Sequence, residues 1–224
     1  MVWRGATWFV TSGQTVAPMN PTFRLMGGGT EGSIGATASW IVGVIACVFI
    51  VLSILRQAIG LQQSPPNMLI VSLAMFLTWF VMDPVLTAAW EKGAGPLSRG
   101  EIELTEAIPL TLAPFRQFMA GRVDPDSFAA MQALRPGETG APLDAPLSLL
   151  VPSFLLSEIQ RAFEIGFLIF LPFLIIDLVV AAILMSMGMM MVPPSVVSLP
   201  FKLAFFVVAD GWSLISGALV RSYF

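Results

Sequence analysis

Apolar residues along this chain are grouped into four long runs. They do not recur at the three-to-four-residue spacing of an amphipathic helix in a soluble protein. The runs cover residues 36–55, 68–85, 165–185 and 196–220. A helix of about 20 apolar residues is long enough to cross the roughly 30 Å hydrocarbon core of a bilayer. Pro172 and Pro200 predict kinks in the last two runs. The pattern therefore predicts an all-α, membrane-associated protein with four long, proline-kinked apolar segments.

Turn residues group these segments into two helical hairpins. Gly60 and the Ser-Pro-Pro-Asn sequence at 64–67 predict a sharp turn between the first two runs, because proline cannot continue a helix and disfavours α geometry in the residue before it. We expect Asp83-Pro84 to end the second run. The predicted units are a first hairpin at residues 38–90 and a second at residues 151–224.

Two other stretches of the chain are not predominantly apolar. Residues 1–37 are rich in Gly, Ser, Thr and Pro and predict a flexible leader of unknown role, whose apolar patch is too short for a signal-peptide core. Residues 91–150 hold most of the acidic residues, interleaved with basic ones, and predict a water-exposed insert. Apolar positions between 102 and 119 recur near helical spacing, and Asp-Pro-Asp at 124–126 is a plausible helix start, so we expect the insert to be helical.

Composition supports a membrane protein and excludes several functional classes. The chain is 56% hydrophobic and 11% charged, with a mean hydropathy of +0.84, whereas soluble domains are about 25% charged. A net charge of −3 with no basic stripe argues against a nucleic-acid partner. There is no histidine, and the one cysteine, Cys47, lies in an apolar run. Ser157 and Ser195 have no plausible base partner. We therefore predict no enzyme activity, no metal and no cofactor.

Three ionisable residues interrupt the apolar runs, namely Asp177, Lys202 and Asp210. A charge facing lipid costs about 2.5–3.5 kcal/mol, so these side chains should face protein or a water-filled path. One interpretation is an ion relay in a transporter, and the other is a set of fixed polar contacts between helices or subunits. The lack of histidine favours the second.

Charged residues also precede the third run, where Glu158, Arg161 and Glu164 stand three positions apart. Residues at this spacing are neighbours on a helix and can pair along it. We interpret them as a solvated or subunit-facing stripe.

The link between the third and fourth runs contains three consecutive methionines, Met189, Met190 and Met191. They would sweep about 300° around a helix and could not share one face. Gly188 on one side and Pro193-Pro194 on the other favour a loop instead. Because methionine is adaptable, a ring of such loops from several subunits could close against itself. Alternatively, the methionines fill a helix end packed on its neighbours, which the residues alone favour slightly.

Eight short motifs follow one another from the first run to the last. They are LSILRQAIG at 52–60, SPPN at 64–67, DPV at 83–85, PSFLLSEI at 152–159, PFLIIDL at 172–178, GMMMVPP at 188–194, LPFKL at 199–203 and DGW at 210–212. Together they closely resemble the FliP family of flagellar biosynthesis proteins, from about residue 40 to the C-terminus.

The resemblance implies a pore-forming subunit of the flagellar type III export gate. In that family, five copies assemble with FliQ-type and FliR-type subunits into a channel for unfolded flagellar proteins, beside larger export-gate proteins. The implied location is the bacterial inner membrane at the flagellar basal body, with lipid around the complex. The insert and the bulk of the complex are expected on the periplasmic side.

The resemblance also implies roles for individual positions. Met189, Met190 and Met191 match the methionine gasket that seals the pore, and we expect Gly188, Pro193 and Pro194 to shape that loop. We assign the remaining charged residues to buried assembly contacts: Glu158, Arg161, Glu164, Asp177, Lys202 and Asp210. The alternatives are the equivalent subunit of a virulence injectisome (SctR-type), an ion-coupled transporter and an assembly scaffold. The sequences at 192–194 and 199–202 look more like the flagellar branch.

Overall fold

In a computed structural model the fold is described for residues 34–61, 65–135, 140–189 and 191–224. For residues 34–40 only the backbone is described. Most of the predicted leader therefore lies outside the described residues, and its last four positions already belong to the first helix. Within the described ranges every regular element is a helix. The all-α prediction is confirmed.

The helices follow the order of the predicted runs. They are α1 (Ile34–Ile59), α2 (Asn67–Ala89), a π-helical turn (Trp90–Ala94), α3 (Gly95–Ser98), α4 (Leu104–Arg122), α5 (Pro125–Ala133), α6 (Leu147–Ser186), α7 (Pro194–Val208) and α8 (Gly211–Arg221). Three of the described helical stretches are long and apolar enough to cross a membrane, and a fourth is added if the bent pair α7–α8 counts as one span.

The prediction that Asp83-Pro84 ends the second run is wrong. Helix α2 continues through Pro84 to Ala89, and the chain stays helical as far as Ser98. A proline removes one intrahelical hydrogen bond, and burial of Val81, Met82 and Ala89 on either side of it stabilises the helix across that gap.

The π-helical turn lets this long helix approach the insert closely. A Cβ atom at Gly93 would lie 2.6 Å from the backbone nitrogen of Thr111 in α4. Only glycine therefore fits at this crossing. The consequence is that α4 packs directly on the π-helical turn that follows α2.

Helix α6 is the axis of the fold. At 40 residues it is about 60 Å long, and it runs through both Pro152 and Pro172. Helix α1 packs beside it in the same direction, because Gly43 meets Phe154 near one end and Ile54 meets Gly166 further along. Apolar side chains form two buried clusters, one that joins the insert to the long helices and one between the long helices themselves.

The fourth apolar run is not one kinked helix. Pro200 lies inside α7 without ending it, whereas α7 and α8 meet at an angle of 62°. The bend falls at Asp210, which has φ 48° and ψ 50°, a left-handed conformation that short polar residues tolerate. Gly211 follows directly, and a Cβ atom there would lie 2.1 Å from the Phe206 ring. The bend therefore depends on close packing of α8 against α7.

Candidate functional site

The methionine-rich link is a loop between the capped ends of two helices, as predicted. Helix α6 ends at Ser186, and Gly188 has φ +76°. The N–H of Gly188 donates to the Met185 carbonyl at 3.1 Å, and the N–H of Met189 donates to the Leu184 carbonyl at 2.9 Å. These two bonds form a Schellman motif, which requires a left-handed residue such as glycine.

Proline sets the other side of the loop. Pro193 has extended backbone geometry at the N-cap, and Pro194 is the first residue of α7. Proline suits that position because its ring fixes a helical φ and its missing N–H would have no partner there. Gly188, Pro193 and Pro194 thus lie where α6 ends and α7 begins. Their role in shaping a pore loop stays a prediction.

Methionine side chains around this loop are exposed on the single chain. Met191 is 98% exposed and Met189 is 45% exposed, and Met185 and Met187 before them are also exposed. Met190 lies outside the described residues. Packing within the chain therefore does not account for Met191, and it covers only about half of the Met189 surface. Their role in sealing a pore stays a prediction.

Lys202 and Asp177 form a buried ion pair that joins α7 to α6. The Lys202 ammonium lies 2.6 Å from Asp177 Oδ2 and donates to the Ala58 carbonyl at 3.0 Å. The Ser198 hydroxyl donates to the other carboxylate oxygen. Lys202 is only 5% exposed, whereas the Asp177 side chain is 30% exposed, so the lysine end of the contact is buried and the carboxylate end is partly open to solvent. The pair thus lies between helices of one chain, and it also attaches α7 to the end of α1.

Asp210 does not take part in this contact. It is exposed at the bend between α7 and α8, where its backbone conformation, not a described side-chain bond, marks the position. The three charges that interrupt the apolar runs therefore separate into one ion pair and one exposed turn residue.

Glu158 lies at the centre of a second polar contact. It is 1% exposed, accepts from Arg122 Nε at 2.8 Å and accepts from the Tyr223 hydroxyl at 2.7 Å. Arg122 also donates to the Ser222 carbonyl at 2.8 Å, and its guanidinium lies 3.9 Å from the centre of the Tyr223 ring. Burial raises the pKa of the Tyr223 phenol, so it remains a donor. The contact joins the insert, α6 and the C-terminal residues.

The interpretation of Glu158, Arg161 and Glu164 as one solvated or subunit-facing stripe is wrong for Glu158. A three-residue step turns a helix by 300°, so the first and last of these positions differ by about 120°. Glu158 consequently points into the core, whereas Glu164 is exposed and accepts from Gln160 at 3.2 Å. Arg161 is half-buried, and its charge acts on the Asp124 carboxylate at the insert.

Asp124 caps α5, as the Asp-Pro-Asp sequence predicted. Its Oδ2 accepts from the Ser127 N–H at 2.8 Å, and its own N–H donates to the Ser157 hydroxyl of α6 at 2.9 Å. The hydrogen bond from the Ser127 backbone holds the pKa of Asp124 below its usual value. This cap therefore also fixes where the insert returns to α6.

Arg122 and Tyr223 were not predicted as partners of Glu158 from the sequence. Arg122 stands 36 residues from Glu158, and Tyr223 stands 65 residues from it. No local spacing rule connects positions so far apart. Their charge and hydroxyl became informative only once the fold had brought them to the same buried carboxylate.

These features define a class of protein, a polytopic all-helical membrane protein with an exposed methionine loop between proline- and glycine-capped helices. Residues 34–219 match the model of the FliP family. The chain belongs to the FliP family.

Similar proteins carry the description flagellar biosynthetic protein FliP. The protein of Caulobacter vibrioides is 50% identical over 179 residues, which is 79% of this chain and 66% of that protein. The protein of Cereibacter sphaeroides is 48% identical over 177 residues, covering 79% of this chain and 59% of its own length. The protein of Rhizobium meliloti is 44% identical over 211 residues, which cover 84% of this chain and 86% of that protein. The chain thus spans somewhat less than two thirds of the length of the first two.

Proposed function

We propose that this chain is a pore-forming subunit of the flagellar type III protein export gate. In the proposed assembly, several copies, expected to be five, surround a channel with FliQ-type and FliR-type subunits. Unfolded flagellar proteins pass through that channel across the inner membrane, and larger export-gate proteins act beside it. The family membership supports this assignment, because the relatives are described as flagellar biosynthetic proteins.

The observation that supports the pore role is the position of the methionine loop. It lies at the end of an arm formed by the last turns of α6 and the first turns of α7. Ile54 of α1 packs against Gly166 of α6, and α1 ends five residues later. Helix α6 continues to Ser186, about 15 residues further, which corresponds to about 22 Å. The loop therefore stands well beyond the end of α1, where it can meet the same loop of other copies.

The chemistry of the loop suits a seal that must open for varied polypeptides. Methionine has three rotatable bonds and a polarisable sulfur, so it packs against irregular surfaces with little specific geometry. Met191 has almost no intramolecular contacts to lose on opening, since it is 98% exposed, and nearly half of the Met189 surface is also exposed. The rigid caps at Gly188 and Pro193 would hold the backbone while the side chains rearrange.

The insert is proposed to lie on the periplasmic side. It carries five Lys or Arg residues, which by a simple count would favour the cytoplasm. Long segments translocate largely regardless of their charge, and this one is about 60 residues long. Reaction of single cysteines placed in the insert with a membrane-impermeant reagent in intact spheroplasts tests this orientation.

The pore role is tested by replacing Met189 and Met191 with alanine in the assembled gate. We expect increased leakage of small ions through the closed complex in liposomes, with assembly unchanged. The matched control is the Met68→Ala, Met75→Ala double variant, since both side chains are also exposed methionines but lie on α2. We expect no added leakage from it.

Two outcomes would contradict the pore role. Unchanged conductance of the Met189→Ala, Met191→Ala variant in a normally assembled complex would show that these side chains do not seal a channel. Loss of assembly without a leak in any assembled particle would support the scaffold alternative instead.

A further inference from the structure

A cavity of about 590 Å³ opens where the end of α1 meets the first two turns of α7. This volume is in the range of small-ligand sites, roughly 300–1,000 Å³. It lies beside the Lys202–Asp177 ion pair but is separate from the methionine loop. Its polar lining consists of Ser53, Arg56, Gln57, Ser195 and Lys202.

The lining has an excess of positive charge. Arg56 and Lys202 are both cations, and no carboxylate is among the lining residues that the structure describes. The nearby Asp177 is bound through one oxygen by Lys202 and through the other by Ser198. The described partner of Arg56 is the neutral amide oxygen of Asn67. One positive charge therefore remains uncompensated at the cavity.

Hydrogen-bond donors also remain available there. An ammonium has three N–H donors, and the described contacts of Lys202 use two, to Ala58 and Asp177. A guanidinium has five, and Arg56 uses one toward Asn67. Ser195 lies in the first turn of α7, where the helix dipole adds partial positive charge. This set of donors is suited to phosphate oxygens.

The rest of the lining is apolar, and the cavity lies at the end of a span. Leu61, Val196 and Leu199 complete the wall. Arg56 stands three residues before the end of the apolar stretch Ile41–Ile59, where a membrane-crossing helix would reach the headgroup level. A soluble anion needs no apolar wall, whereas a lipid headgroup brings acyl chains with it.

We propose that this cavity binds the phosphate headgroup of an anionic phospholipid, with Arg56 and Lys202 facing the phosphate and the apolar wall facing the start of the chains. Basic pockets between membrane helices commonly hold such headgroups. Bound lipid would connect α1 to α7 and so support the arm that carries the methionine loop. The proposal does not depend on that loop lining a pore.

Retention of lipid by the purified assembled complex in detergent tests the proposal. The complex is incubated with phosphatidylglycerol or with phosphatidylcholine, and retained lipid is counted by native mass spectrometry. We expect preferential retention of phosphatidylglycerol, lowered about five-fold by Arg56→Gln, since one basic residue near an anionic surface contributes about that factor. The control Arg99→Gln changes an arginine that is exposed and paired with Glu101, and we expect retention to stay within two-fold.

A second variant keeps the test decisive if Arg56→Gln does not assemble. Ser195→Asp places a carboxylate at the mouth of the cavity, and we expect it to abolish selective retention in complexes of normal size. Equal retention by either assembled variant would overturn the proposal, and so would equal retention of phosphatidylcholine. Binding of inorganic phosphate alone, with the same dependence on Arg56, would show a free-anion site and overturn the lipid assignment. Leakage through Met189→Ala, Met191→Ala is scored separately, so failure of the pore role would be distinguishable.

Discussion

Replacing Lys202 with methionine tests whether the buried ion pair is a fixed structural contact. Methionine has a similar length but no charge, so Asp177 and the Ala58 carbonyl each lose a donor. Removing one partner of a buried pair costs about 3–5 kcal/mol. The Asp177 side chain is 30% exposed and keeps its bond from Ser198, so water and this hydroxyl offset part of the loss. We expect a cost of about 2–3 kcal/mol.

The double variant separates the pair from its surroundings. In Asp177→Leu, Lys202→Met both charges are absent, and replacing a buried pair by apolar residues is often close to neutral. We therefore expect the sum of the two single-variant losses in unfolding free energy to exceed the loss in the double variant. The difference, the coupling energy, should be about 2 kcal/mol. The free energy of unfolding is measured in mixed micelles by circular dichroism. The matched cycle uses Asp210→Leu, because Asp210 is exposed and belongs to the α7–α8 bend.

The result that would refute this reasoning is additivity. If Asp177→Leu and Lys202→Met add to within about 0.5 kcal/mol, the two residues do not interact as their separation indicates. Coupling of Lys202 to Asp210 as large as its coupling to Asp177 would equally contradict the geometry. We expect the Asp210 cycle to be additive.

Three further substitutions test other contacts. Gly166→Ala should cost about 1–3 kcal/mol because its Cβ would lie 2.4 Å from Ile54 Cδ1, and thermal unfolding should show rescue by Ile54→Val; a cost unchanged in the double variant would contradict the close approach. Tyr223→Phe should cost about 1.5–3 kcal/mol by removing a donor to buried Glu158, measured by denaturant unfolding, and no change would refute that bond. The lowered pKa of Asp124 gives stability that is complete above its unfolded pKa and lost as pH falls through the folded pKa; Asp124→Asn should remove this part of the acid dependence, and identical pH profiles would contradict it.

Helix positions and the methionine loop could be predicted because their causes are local. Long apolar runs favour helices wherever the chain folds, and glycine and proline act on their own backbone. Gly188 accordingly adopts the left-handed conformation, and Pro194 begins α7. The same local rule failed at Pro84, because packing on both sides of the proline outweighs the one hydrogen bond it removes.

The sequence by itself determined that this is an all-helical membrane protein of the FliP type, with a methionine-rich link between two helices and without the residues for histidine-based chemistry. Tertiary structure alone decided which charges meet. Lys202 pairs with Asp177 across 25 positions and Arg122 with Glu158 across 36, and the cavity at Arg56 exists because α7 returns to the end of α1. Partners of this kind depend on how the helices pack. A buried charge needs a partner, but the sequence does not show which residue that partner is.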